Sequence, residues 1–139
     1  MKHWTRIAVL ALMFVPLVAS AQFRDLDAAM SSLERGFGGG DVDAIVSGIG
    51  ASEKVMLQFP DLADTSGFFG RDQAAYLLDG LFNKVKPSGF ESVSAKGQRA
   101  EKQYHIKANW TINQGSRDLY IILKQNGDRW SVVSVRSGG

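Results

Sequence analysis

The sequence predicts an α+β protein in which helices come first and an antiparallel sheet follows. Two observations carry that expectation. Apolar residues recur at helical spacing only up to residue 86, and from Phe90 onward they alternate with polar ones. A third sets a limit: the chain has no cysteine. Disulfides, a thiol nucleophile, thiolate metal sites and a lipid-anchored cysteine are therefore excluded, and the fold must rest on an apolar core.

Ahead of the helices stands a segment with the marks of a secretory leader. Lys2 and Arg6 precede an apolar run from Ile7 to Val18, and Ala19-Ser20-Ala21 supplies small residues at −3 and −1. The run is well short of the roughly 20 residues that span a bilayer. Cleavage after Ala21 is expected, leaving residues 22–139 as one domain in the periplasm or outside the cell, with no membrane attachment. Lys2 and Arg6 account for two of the 16 basic residues, so the remainder balances the 14 acidic ones. The basic character thus belongs to the leader and is no argument for nucleic acid.

Leu26, Met30, Leu33 and Phe37 form one helical stripe, with Asp25 as cap and Gly38-Gly39-Gly40 as terminator. Asp41 opens a short second helix carrying Val42, Ile45, Val46 and Ile49. Residues 53–59 read as a strand with Val55, Leu57 and Phe59 on one face, closed by Pro60. Residues 61–70 read as a loop ending in Phe68-Phe69. A third helix runs from Arg71 to Lys86, with Ala74, Leu77, Leu78, Leu81, Phe82 and Val85 inward and Pro87 beyond it.

In the sheet region, Asn126-Gly127 signals a hairpin. Pairing Gln125 with Asp128 sets Leu123 opposite Trp130, Ile121 opposite Val132 and Leu119 opposite Ser134. A turn over Asn113–Ser116 sets Ile112 opposite Arg117, Trp110 opposite Leu119, Ala108 opposite Ile121 and Ile106 opposite Leu123. The expected core face is then Tyr104, Ile106, Ala108, Trp110, Leu119, Ile121, Leu123, Trp130, Val132 and Ser134. The other face carries His105, Lys107, Asn109, Tyr120, Ile122, Lys124, Val133 and Val135.

This order of elements, with the Leu26–Phe37 helix, Gly70-Arg71-Asp72-Gln73 opening the third helix and the Leu119–Trp130 run, resembles the nuclear transport factor 2-like superfamily. Within it the chain looks similar to small exported bacterial proteins of unknown function. The resemblance implies a cystatin-like cone, with helices packed in the concave face of a strongly curved, mostly antiparallel sheet. It also implies that the sheet face is a common dimer surface, and that the cone can enclose a pocket. Some members are isomerases, dehydratases or hydrolases. The steroid-isomerase-like ones pair a pocket Asp base with an oxyanion hole of Tyr and a second acid.

The chemistry itself is faint. No Asp or Glu falls on the expected core face, so the base that such catalysis needs is not evident. His105, the only histidine beyond the leader, points outward beside Lys107 and opposite Lys124. One histidine and scattered acids support no metal site, and no cofactor is implied. Gly38-Gly39-Gly40 lacks the flanking pattern of a phosphate loop, and Asn109-Trp110-Thr111 matches a glycosylation sequon only by chance. Tyr76, Tyr104, Trp110 and Trp130 could line a ligand cavity with Ser92 and Ser134 as polar points, or could simply fill the core. On the outer face, Tyr120, Ile122, Val133 and Val135 form an apolar island suited to a second copy or another exported protein. Two function classes follow. The first is a non-catalytic exported module that binds a small apolar ligand or a protein partner, as a homodimer. The alternative is a small cofactor-independent isomerase, dehydratase or hydrolase working in the cone, with Tyr104 or Tyr76 polarising a substrate.

Overall fold

The computed structural model describes residues 22–98 and 100–138; the expected leader lies outside them. Helix α1 (Leu26–Gly39) begins where Asp25 Oδ1 accepts the Ala28 N–H at 2.7 Å. Its terminator is the third glycine of the run. Gly40 adopts φ 75°, the left-handed cap, and donates its N–H to the Gly36 carbonyl at 2.9 Å, while Gly38 and Gly39 stay helical. Asp41 caps α2 (Val42–Val46) through the Ala44 N–H. The two helices touch closely, since a Cβ on Gly36 would strike the Ile45 side chain.

Strand β1 (Val55–Gln58) turns Val55 and Leu57 inward, and β2 (Gly67–Phe69) pairs with it antiparallel. That second strand was expected to be loop; three residues are too few to display an alternation. Helix α3 (Arg71–Val85) is held to the turn that follows α2 by Arg71, whose Nε donates to the Ile49 carbonyl at 3.0 Å. Then come β3 (Gly89–Gln98), β4 (Gln103–Ile112), β5 (Gly115–Asn126) and β6 (Arg129–Ser137). The six strands lie in the order β2-β1-β6-β5-β4-β3, antiparallel except where β1 runs parallel to β6.

Both hairpins pair two residues away from the expected register. Ile112 faces Gly115, so Trp110 faces Arg117, Ala108 faces Leu119 and Ile106 faces Ile121. Asn126 faces Arg129, leaving Gly127 (φ 63°) and Asp128 as the turn, and Leu123 faces Val132. A shift of two keeps every side chain on its face, so the β4 and β5 core residues stand as expected. In β6 a bulge adds one more residue between the partners of Ile122 and Leu123. Beyond it the faces exchange: Val135 pairs with Ile121 and is buried, and Ser134 pairs with Ile122 on the outer face. Leu119 faces Ser137, not Ser134. A second bulge interrupts β3 between Ser92 and Ser94. Bulges bend the strands that carry them, and this sheet is curved.

The helices fill the inner side. Trp110 is fully buried amid Phe37, Phe59 and Phe82, with ring centroids 5.7–6.2 Å away. Its indole N–H donates to the Phe37 carbonyl at 2.8 Å. That carbonyl lies in the last turn of α1, where no intrahelical donor remains. The α+β cone is therefore closed at its centre by aromatic packing.

Candidate functional site

The residues expected to line a cone pocket do not converge. Trp110 is core. Tyr104 and Trp130 pack edge-to-face at 6.3 Å toward the other end of the sheet, six residues along β4 from Trp110, which is roughly 20 Å of strand. Tyr76 projects from the outer side of α3 and is 85% exposed, because it falls off the stripe that packs inward at Ala74, Leu78, Leu81 and Val85. Ser92 is exposed on β3, and the β6 bulge turns Ser134 outward. Among the described residues, the buried polar side chains are Ser32, Ser131 and Ser137. No titratable group is buried with them, and none of the described residues form a metal-ligand cluster.

The expected outer island also changes. Tyr120 and Ile122 stay on the outer face and Val133 sits half-buried in the bulge, but Val135 belongs to the core. Basic side chains interleave with those that remain. The Arg136 guanidinium carbon stands 4.5 Å over the Tyr120 ring centroid, and Lys107 Nζ 5.9 Å from it. His105 faces Ile122, not Lys124, and shares a hydrogen bond with Gln103 Oε1 at 3.0 Å. A cleft of about 260 Å³ opens on this face.

A larger groove, about 480 Å³, runs between α3 and the segment that joins β1 to β2. Leu62, Ala63 and Phe69 form one wall; Leu77, Gly80 and Leu81 form the other, with Tyr76 at the rim. Lys84 closes one end, donating to the Leu62 carbonyl at 3.1 Å. Phe68 lies exposed on β2 alongside. Of these residues only Tyr76 stood out in the sequence. Leu77 and Leu81 were assigned to the core and Leu62, Ala63, Phe68 and Phe69 to the loop, and the signal that could have found the groove is Gly80, a glycine inside a helical run.

A family of proteins described as a domain of unknown function, DUF4783, matches residues 30–137. The chain belongs to the DUF4783 family. A DUF4783 protein of Bacteroides ovatus is similar in structure, with TM-score 0.66 and 18% identity over 77% of this chain and 91% of that one. An NTF-2-like protein of unknown function from Shewanella oneidensis gives TM-score 0.60 and 15% identity over 83% and 97%. A Catenulispora acidiphila protein with a ketosteroid isomerase-like fold, solved with trimethylamine, gives TM-score 0.57 and 11% identity over 80% and 84%. No curated protein matches. Likenesses this distant establish the nuclear transport factor 2-like fold of this DUF4783 chain and carry none of the chemistry.

Proposed function

We propose that this DUF4783 protein is an exported, non-catalytic binding module that holds a small apolar molecule in the groove beside α3. One observation carries the reading. Gly80 lies inside α3, where glycine costs about 0.5–1 kcal/mol relative to alanine. The fold has no need of it: a Cβ built there meets nothing within 4 Å. What the missing side chain does is leave the groove open between Leu77 and Leu81. The groove is of ordinary ligand-pocket size, apolar with few polar points. The filled cone and the absence of a buried base among the described residues speak against the enzymatic alternative.

The test uses N-phenyl-1-naphthylamine, an uncharged dye that brightens in apolar sites. Wild type is expected to bind it saturably, and Gly80→Leu, which fills the groove without disturbing the helix, to bind at least tenfold more weakly. Tyr120→Ala, on the far side of the sheet, is expected to bind as wild type does. No saturable binding, or equal binding by Gly80→Leu, overturns the reading.

A further inference from the structure

The outer face of the sheet arranges its side chains in two neighbouring rows. Ser94, Lys107, Tyr120 and Arg136 are paired in sequence across β3, β4, β5 and β6, and Lys96, His105, Ile122 and Ser134 form the next row. The 260 Å³ cleft lies over both rows. Its lining therefore brings together three cations from three different strands, two serine hydroxyls and an imidazole, around the Tyr120 ring and Ile122.

Those cations have no carboxylate partner among the described residues. Among the described residues the ion pair is Arg24–Asp25, at the other end of the chain. The acids of this face, Glu91 and Asp118, both pair with Asn109, one row further along the strands, and neither lines the cleft. Two of the cations lean on the Tyr120 ring instead. A guanidinium over an aromatic face keeps N–H donors that a carboxylate or phosphate can take in bidentate fashion. Like charges gathered at a concave surface also raise the local concentration of counter-ions.

We propose that this cleft is a binding site for a small organic anion, with a carboxylate or phosphate group held by Arg136 and Lys107 and its body over Ile122. The site is independent of the α3 groove. Its volume falls below the roughly 300 Å³ at which drug-sized ligands begin, so the ligand is a small one. Ser94 and Ser134 contribute hydroxyl donors at its margins, and Lys96 a third charge.

The experiment is calorimetric titration of the purified protein at low salt with two probes, succinate and inorganic phosphate, which separate the carboxylate from the phosphate source. At least one is expected to bind saturably, with affinity falling as salt is added. Lys107→Gln combined with Arg136→Gln is expected to weaken that binding at least tenfold. Lys54→Gln, an exposed charge loss elsewhere, is expected to leave it unchanged. Lys96→Gln serves as a second cleft variant should the pair not fold, with a severalfold loss expected. The proposal is overturned if neither probe binds, or if Lys54→Gln weakens binding as much as the cleft variants do. It is equally overturned if light scattering finds a dimer that Tyr120→Asp separates, because a second copy then occupies the face.

Discussion

Replacing Trp110 by phenylalanine would keep a ring in the aromatic cluster but strip the donor from the Phe37 carbonyl. A buried acceptor left without a partner costs about 1–3 kcal/mol, and the smaller ring adds a void. Urea denaturation of Trp110→Phe should therefore show an unfolding free energy lower by at least about 1 kcal/mol, with an earlier midpoint; an unchanged midpoint would mean that water reaches the carbonyl. Ser137 is the opposite case. Its hydroxyl is buried on the core side of β6 with no hydrogen-bond partner among the described residues. Ser137→Ala removes an unmet polar group at no cost in packing, and is expected to raise stability by about 1 kcal/mol in the same assay. The two substitutions differ in sign because one removes a partner from a buried group and the other removes the group.

At the level of elements, the helices were legible in the sequence and the register was not. Asp25, Asp41 and Pro87 are local signals, and a stripe such as Leu26, Met30, Leu33 and Phe37 repeats often enough to be read without knowing its partner. Strand pairing depends on how many residues the turn takes, and Asn126-Gly127 leaves more than one choice open. The faces of β4 and β5 survived because the shift was by two. In β6 they did not, since Val132-Val133-Ser134-Val135 offers a valine to either face and nothing local marks the added residue. The cost fell on the site: Ser134 and Val135 were assigned to each other's faces, and Arg136 was not seen beside Tyr120. Deleting Val133 tests the bulge directly. Without it the ladder runs unbroken, with Val132 still opposite Leu123, Ser134 opposite Ile122 and Val135 opposite Ile121, so far-UV and near-UV circular dichroism are expected to keep the native signature. Loss of the native spectrum would mean that the bend made by the bulge is itself required for the helices to pack.

For the whole molecule, the cone is packed shut at its centre, and the α3 groove and the cleft over Tyr120 lie outside it. Whether a cone holds a pocket depends on how large side chains from distant elements meet. Phe37, Phe59, Phe82 and Trp110 come from α1, the end of β1, α3 and β4. No window of sequence contains that information, so pocket and packing could not be told apart before the fold was known. One variant separates the groove from the fold. Gly80→Ala is expected to stabilise the protein by about 0.5–1 kcal/mol through helix propensity alone. A destabilised Gly80→Ala would mean that the glycine serves α3 itself and not the groove.

The parallel pairing of β1 with β6 has a kinetic meaning. Met56 finds its partner at Ser134 and Gln58 at Arg136, so the first strand of the sheet is joined by the last. Between them the chain must lay down β2, α3 and the whole meander. Pairings across so long a loop form late, because the entropy of closing it precedes any reward. The hairpins of the meander can form from neighbouring segments, but β1 and the β2 strand beside it gain their place in the sheet only when β6 has formed. Closure of the sheet thereby waits on its sixth strand.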